Sequence, residues 1–259
     1  MEVVSRDGTR IGVSRVGSGK PLVFVDGAFC FRQNGPSAAL ASALASHFTV
    51  LTYDRRGRGE STDTAPYAIE REIEDLKAVV AEAGEGVLLV GISSGAALAL
   101  QAVASGLRVE RLCLYDPPYV ARPLEDEKRR LEQLVASGDR RGAAKLFLGE
   151  VVRVPRFFLA LMPLLMGRTW KKNESVALTL PYDLALLADV SVLQARAGAV
   201  TVPTLVSAGA KSGAELREAA ERVARALPKA TLRLLPGVGH DVPAGALAPV
   251  LIEFAREAA

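Results

Sequence analysis

Short apolar runs alternate with longer segments of helical pattern along most of the chain. Near-continuous runs of Val, Leu and Ile are typical of strands that are covered on both faces. We predict strands at 21–25, 48–53, 86–90, 109–115, 202–206 and 231–235. We predict helices between them at 69–83, 96–105, 214–227 and 247–258. Strands that alternate with helices indicate βαβ units and a mostly parallel sheet.

Two regions depart from this alternation. At the N-terminus, residues 3–4 and 10–16, joined across Asp7 and Gly8, predict an antiparallel hairpin. Residues 119–199 contain helical patterns and no convincing strand, so an insertion of about eighty residues interrupts the alternation. We therefore predict a core domain formed by residues 1–118 and 200–259, with a helical cap, or lid, formed by residues 119–199.

Composition excludes several classes of protein. The net charge is +3, and the basic and acidic residues are interspersed, so neither a nucleic-acid nor a membrane partner is predicted. Two cysteines exclude a disulfide framework and a cysteine-rich metal site. The N-terminus lacks the apolar region of a signal peptide, and the longest apolar run, 157–166, is too short to cross a bilayer. We expect a cytoplasmic protein; the oligomeric state stays open.

The motif Gly91-Ile92-Ser93-Ser94-Gly95 directly follows a predicted strand and leads into a predicted helix. This is the strand–turn–helix context in which G-x-S-x-G acts as a nucleophile elbow. Such a turn imposes a strained backbone on Ser93 and projects its hydroxyl above the sheet. The backbone N–H of Ser94, at the helix N-terminus, can then donate to an oxyanion. The alternative is a glycine-rich turn with an idle serine.

A serine hydroxyl needs a base to act as a nucleophile near neutral pH, and the chain has two histidines. His240 follows the last predicted strand in a glycine-rich loop, so we predict it as the base. His47 lies between a helix and a strand and is better explained as a structural residue. Asp116, at the end of the strand after the elbow helix, is the preferred carboxylate to orient His240. Glu215 and Asp241 remain alternatives.

A second oxyanion donor and a substrate pocket are also predicted. The strand at 21–25 runs into Asp26-Gly27-Ala28-Phe29, and the N–H of Ala28 is expected to act beside that of Ser94. The apolar run 157–166 suits either an adaptable pocket wall or packing of the cap on itself. The residues expected to bind substrate are Phe29, Phe158, Met162, Trp170 and Tyr182.

Other polar features have simpler interpretations. Arg55, Arg56 and Arg58 form a basic cluster, which we interpret as a solvated loop that holds its own turn rather than as an anion site. No H-E-x-x-H or other metal-ligand spacing occurs, so no metal site is predicted.

Together these residues resemble the α/β-hydrolase superfamily over essentially the whole chain. Ser93, Asp116 and His240 follow the order Ser…Asp/Glu…His of that family. Residues 53–61, Tyr-Asp-Arg-Arg-Gly-Arg-Gly-Glu-Ser, look like the stretch after its fourth strand. The Ser-Ser-Gly elbow and the acidic-Pro-Pro turn are similar to those of small bacterial serine hydrolases with a helical cap.

The sequence departs from that family at three places. Asp26 stands where the family usually has a histidine, before Gly27, and Ile92 replaces a frequent histidine in the elbow. The turn 208–212, where many members carry the acid, contains no carboxylate. The serine at the nucleophile position argues against epoxide hydrolases and haloalkane dehalogenases, which use aspartate there.

The resemblance implies an α/β-hydrolase fold: a mostly parallel central sheet with helices on both faces and a helical cap insertion. It also implies a serine hydrolase that needs no cofactor. The expected reaction is cleavage of a small or medium apolar ester, lactone or thioester through an acyl-enzyme intermediate. One alternative is a cofactor-free lyase, cyclase or oxygenase that uses His240 as its base. Another is a catalytically silent ligand-binding member. The acyl and leaving groups depend on the geometry of the cap.

Overall fold

A computed structural model describes residues 1–119, 123–187 and 190–257. Its strands are β1 (Glu2–Val4), β2 (Arg10–Gly17), β3 (Lys20–Val25), β4 (Phe48–Tyr53), β5 (Leu88–Ile92), β6 (Arg111–Tyr115), β7 (Thr204–Gly209) and β8 (Ala230–Leu235). Its helices outside the predicted cap are α1 (Ser37–Leu44), α2 (Ile69–Ala83), α3 (Ser94–Ala104), α10 (Ala214–Ala226) and α11 (Ala244–Arg256). Those within it are α4 (Glu125–Ala136), α5 (Arg140–Leu146), α6 (Arg156–Leu165), α7 (Gly167–Val176), α8 (Leu180–Leu187) and α9 (Val190–Arg196).

The described strands form one sheet in the order β1-β2-β4-β3-β5-β6-β7-β8. β1 with β2 and β2 with β4 pair antiparallel, and the remaining neighbours pair in parallel. The predicted hairpin and the mostly parallel sheet are therefore confirmed. β5 lies between β3 and β6, so the carboxyl ends of these three strands meet at one edge, where open α/β sheets bind ligands.

Apolar layers cover both faces of the sheet. One packs beneath α2, α3 and α10, and the other beneath α1 and α11. α3 follows the elbow and is buried from residue 94 to residue 103, as its small apolar side chains predict. This packing fixes the first turn of α3 against the centre of the sheet. Within the described residues, no helix is long and apolar enough to cross a bilayer.

Most predicted elements are found, but the interpretation of the last strand is wrong. β8 is an edge strand, and Leu232 and Leu234 are 40% and 43% exposed. Their apolar pattern predicts cover on both faces, whereas residues 231–234 of this last strand lie outside the apolar layers that cover the rest of the sheet. The predicted helix at 247–258 begins earlier, at Ala244, and its last predicted residue lies outside the described part of the chain.

Between β6 and β7 the described residues form helices and no strand. A third apolar cluster joins these helices to two phenylalanines of the loop after β3, Phe29 and Phe31. The helical segment therefore packs over the carboxyl edge of the sheet. The division at residues 119 and 199 stays a prediction.

Candidate active site

The elbow holds Ser93 in a strained conformation between β5 and α3. Its φ is 56° and its ψ is −127°. A non-glycine residue in such a region costs about 1–3 kcal/mol and persists only where the surroundings impose it. Here the amide of Ser93 donates to the carbonyl of Tyr115 at 2.9 Å, and a Cβ at Gly95 would lie 2.1 Å from the carbonyl oxygen of Val25. The close approach of β3 thus requires glycine, and the side chain of Ser93 stays half-buried.

Asp116 is the carboxylate that the structure brings to His240. It is fully buried, and its Oδ2 lies 2.9 Å from Nδ1 of His240. The hydroxyl of Ser212 donates to the same oxygen at 2.7 Å, and the amide of Gly209 donates to Oδ1 at 3.3 Å. Because a carboxylate accepts hydrogen bonds, Nδ1 carries the proton and Nε2 is left as an acceptor.

The sheet register places this pair beside the elbow. Ile92 pairs with Tyr115 across β5 and β6, so Ser93 and Asp116 are the next residues on neighbouring strands. Parallel neighbours lie about 4.8 Å apart. Within the described residues the hydroxyl of Ser93 is not hydrogen-bonded to His240. Catalytic hydrogen bonds are often long before substrate binds, and the imidazole is 40% exposed at this edge.

The other candidate ionisable residues lie elsewhere. Glu215 is exposed and pairs with Arg153 at 2.6 Å, and Asp241 is exposed beside the histidine loop. His47 is exposed between α1 and β4. Among the described residues, no group of three or more His, Cys, Asp or Glu side chains is placed to hold a metal ion.

Two backbone amides beside Ser93 are available as donors. Within the described residues, the N–H groups of Ala28 and Ser94 have no hydrogen-bond acceptor. Phe29 has a φ of 62°, so the loop after β3 turns sharply here. A Cβ at Gly27 would lie 2.9 Å from the Cβ of Ser93, which means that the loop passes directly against the elbow. These are the positions that an oxyanion site requires.

Asp26 is buried at the end of β3, and sequence reasoning noted it only as a departure from the family pattern. The hydroxyl of Ser37 donates to its Oδ2, while Oδ1 has no partner in the described structure. Burial raises the pKa of Asp26 to about 6, although the bond from Ser37 and the charges of Arg58 and Arg55 lower it. A titratable carboxyl group therefore lies directly before the loop that carries the Ala28 amide.

The interpretation of the arginine cluster as a solvated loop is wrong. Arg55, Arg56 and Arg58 are among the most buried side chains, at 1%, 0% and 1% exposure. Arg56 pairs with Asp75 of α2 at 2.7 Å. Arg55 and Arg58 share Asp183, a fully buried residue of α8, at 2.6 and 2.5 Å. Each guanidinium is buried because a carboxylate from a helix, α2 or α8, meets it.

Three of the predicted pocket residues belong to the cluster that joins the helical segment to the core. Phe29 packs edge-to-face on Phe147, with the ring centroids 5.5 Å apart. Trp170 is buried in the same cluster, and Met162 packs against it. This apolar group lies next to the loop that carries the Ala28 amide.

The other two predicted pocket residues lie outside that cluster. Phe158 is 58% exposed on α6. Tyr182 stacks on Tyr67 with 3.8 Å between the ring centroids, and its hydroxyl donates to Asp63 at 2.7 Å. The structure therefore places Tyr182 at a contact between α8 and the loop before α2.

Comparisons with known proteins identify the family and the fold. The model of the alpha/beta hydrolase family matches residues 22–250. An alpha/beta hydrolase from Sphaerobacter thermophilus DSM 20745 is 45% identical, with 98% of this chain and 99% of that chain covered and a TM-score of 0.91.

Two more distant structures share the fold. The enol-lactonase from Burkholderia xenovorans LB400 is 20% identical, with 99% of this chain and 100% of that chain covered and a TM-score of 0.79. A thermophilic esterase from Thermogutta terrifontis is 22% identical, with 99% and 96% covered and a TM-score of 0.74. The sheet, the elbow and these matches lead to one conclusion: the chain belongs to the alpha/beta hydrolase family.

Proposed function

We propose that the chain is a serine hydrolase that cleaves small or medium apolar esters, lactones or thioesters through an acyl-enzyme intermediate. The observation that carries this proposal is the 2.9 Å contact between Asp116 and His240, one strand away from Ser93. An oriented imidazole beside a serine in a strained elbow is the arrangement of a Ser-His-Asp triad.

In the first half of the reaction, Oγ of Ser93 attacks the acyl carbonyl carbon while Nε2 of His240 takes its proton. The carbonyl π electrons move onto the oxygen, which the amides of Ala28 and Ser94 stabilise. When the tetrahedral intermediate collapses, the bond to the leaving group breaks and His240 donates its proton to that group. Asp116 stabilises the imidazolium through its contact with Nδ1, and the transferred proton stays on the imidazole.

The second half repeats these steps with water. His240 removes a proton from water as its oxygen attacks the acyl-enzyme carbonyl. Collapse breaks the bond to Oγ, and His240 returns the proton to Ser93. The products are one carboxylic acid and the alcohol or thiol released earlier; a lactone releases both groups as one hydroxy acid.

The preference for an apolar acyl group rests on the cluster next to the oxyanion loop. Trp170 and Met162 of the helical segment supply apolar side chains to this cluster, and Phe29 supplies one from the loop after β3. Two structures that share this fold are an esterase and an enol-lactonase, and this supports the proposal of an ester or lactone substrate here.

A non-hydrolytic reaction is the second candidate. The imidazole of His240 is 40% exposed and is not hydrogen-bonded to Ser93 within the described residues, so it can meet a substrate directly. In that case His240 acts as a base on substrate, and Ser93 forms no covalent intermediate.

Covalent labelling separates the two candidates. Incubation with a fluorophosphonate should add one adduct mass to the wild-type chain, and short acyl esters should be turned over. Ser93→Ala should lose both the adduct and the turnover while keeping the circular dichroism spectrum. Ser42→Ala, which changes an exposed serine of α1, is the matched control and should label normally. An unlabelled, correctly folded wild-type chain would contradict acyl transfer.

A further inference from the structure

One buried charge cluster contacts both halves of the candidate oxyanion site. The elbow half presents the N–H of Ser94, and the loop half presents the N–H of Ala28. We name it the Asp183 cluster; its members are Arg55, Arg58, Glu72 and Asp183. All four side chains are at most 1% exposed, and their two positive and two negative charges balance. Glu72 of α2 binds Arg55 through both oxygens, at 2.6 and 3.0 Å. Asp183 comes from α8, in the helical segment that packs over the sheet edge.

The cluster holds the elbow half through the side chain of Ser94. Its hydroxyl donates to Oδ1 of Asp183 at 2.7 Å and accepts from Nη1 of Arg55 at 3.3 Å. Ser94 is the first residue of α3, and its own N–H is one of the two unpaired amides. Anchoring the side chain at two points restricts the rotation of the backbone unit that presents this N–H.

The cluster holds the loop half through carbonyl groups on both sides of Ala28. Nη1 of Arg58 donates to the carbonyl of Gly27 at 2.8 Å and to that of Cys30 at 3.3 Å. The carbonyl of Gly27 and the N–H of Ala28 belong to one planar trans peptide, in which the two groups point in opposite directions. The guanidinium therefore fixes the direction of the Ala28 N–H. A charged donor on the carbonyl also polarises the peptide and makes its N–H a stronger donor.

Electrostatics keep this arrangement intact. Burial by itself raises the pKa of Asp183, but the guanidinium groups of Arg58 and Arg55 outweigh that effect and hold it below its ordinary value. The carboxylate therefore stays charged. Removing its charge leaves two buried guanidinium groups without a full counter-charge, which favours their reorganisation.

We infer that Asp183, Arg55 and Arg58 are positioning residues. They fix the orientation of the two oxyanion donors, the N–H groups of Ser94 and Ala28, without contacting the substrate. This inference rests on the proposed function. Because Asp183 belongs to α8, the donors reach their catalytic geometry only when that helix is docked against α3. The helical segment over the sheet edge thus acts on turnover as well as on substrate selection.

A matched control for loss of a buried carboxylate lies close by, at the ion pair of the residue next to Arg55. Arg56 and Asp75 form an equally buried ion pair, with bonds of 2.7 Å. Within the described residues, this pair contacts neither Ser94 nor the loop 26–30. Loss of the Asp75 charge therefore tests the effect of breaking a buried pair in the same region without disturbing the donors.

The experiment compares Asp183→Asn, Ser94→Ala and Asp75→Asn with the wild type. Turnover of a p-nitrophenyl ester gives kcat and KM, thermal unfolding gives Tm, and a trifluoromethyl ketone gives a Ki for an adduct whose oxyanion occupies the donors. Asp183→Asn and Ser94→Ala should lower kcat about 10- to 100-fold, since removing a donor altogether costs about 10²–10³-fold. KM should stay within about twofold, and Ki should rise in parallel with the loss in kcat.

Asp75→Asn should lower Tm while leaving kcat and Ki at their wild-type values. Wild-type kcat and Ki in folded Asp183→Asn and Ser94→Ala would overturn the inference while leaving the proposed function intact. If Asp183→Asn does not fold, Ser94→Ala decides alone, because it removes one hydroxyl and keeps the amide. A wild-type chain that forms no ketone adduct and hydrolyses no ester overturns the proposed function and this inference with it.

Discussion

Two buried carboxyl groups flank the elbow, and their hydrogen-bond partners differ. Asp116 follows β6 and Asp26 follows β3, the two neighbours of β5. Both oxygens of Asp116 accept hydrogen bonds, from His240, Ser212 and the amide of Gly209. Asp26 accepts one from Ser37, and its Oδ1 has no partner in the described structure.

The difference shows that burial alone does not decide what a carboxyl group does at this edge. Donors stabilise the negative charge of Asp116, so it can stabilise an imidazolium in turn. Asp26 lacks a donor at one oxygen, and burial raises its pKa to about 6. The side chain that replaces the usual histidine of the family is therefore a group that changes charge near neutral pH.

The largest expected effect is that of Asp116→Asn on turnover. The amide does not stabilise the imidazolium, and its NH₂ group disfavours the tautomer with the proton on Nδ1. We expect kcat to fall by up to about 10⁴-fold, the loss that the same change causes in a serine protease. Steady-state kinetics measure the change, with circular dichroism as the control for folding. Near-wild-type turnover would transfer the orienting role to Glu215 or Asp241.

Next in size is the effect of Asp26→Asn on the pH dependence of stability. The pKa of Asp26 is about 6 in the folded chain, against 3.8 for an unperturbed aspartate. The folded state therefore binds more protons than the unfolded state between these values, and wild-type stability falls as pH rises through this window. Relative to Asp26→Asn, the wild type should lose about 3 kcal/mol of unfolding free energy between pH 3.5 and pH 7.

Urea unfolding of both chains at several pH values measures this difference. The asparagine variant keeps the size of the side chain and does not titrate, so it isolates the charge. Parallel stability curves for the two chains would show that Asp26 titrates alike in the folded and unfolded states.

A smaller effect is expected for Ser212→Ala. This change removes the hydroxyl donor from Oδ2 of Asp116, the oxygen that also contacts His240. A hydrogen bond to a charged group contributes about 1.5–3 kcal/mol, and the remaining donors compensate in part, so kcat should fall about tenfold. Ser212→Thr keeps the hydroxyl and should restore turnover. Equal rates in all three chains would mean that His240 and the amide of Gly209 position the carboxylate without Ser212.

The smallest effect is that of Ser37→Ala on Asp26. The hydroxyl of Ser37 lowers the pKa of Asp26, so its loss should raise that pKa further. The upper end of the pH window of falling stability should then lie at higher pH, while its lower end, set by the unfolded chain, stays in place. The same urea series detects the shift, and an unmoved window would exclude Ser37 as a partner of the charged form.

Much of this arrangement was predictable because it depends on residues that are close in the sequence. The spacing of apolar residues predicts β4 at 48–53 and α2 at 69–83, where the structure has them. G-x-S-x-G between a strand and a helix locates Ser93 at the sheet edge. Asp116 was also accessible to prediction, because neighbouring parallel strands end at the same edge.

The interpretation of the arginines failed because their partners belong to other elements, α2 and α8, and the partner in α8 lies far along the chain. Arg58 and Asp183 are 125 residues apart, and residues 55–58 by themselves have the composition of a polar loop. One signal was present: Asp183 is a single acid within an apolar segment, 180–187, and such a charge needs a buried partner. The signal indicates that a partner exists without identifying it.

The sequence by itself determined the order of strands and helices along the chain, the position of the candidate nucleophile and the supply of a candidate histidine and carboxylate beside it. The tertiary structure decided which charges are buried, which strand forms the sheet edge and which donors surround Asp26 and Asp116. The reason is physical. Secondary structure follows from local periodicity, whereas burial and charge pairing follow from contacts between segments that only the complete fold brings together.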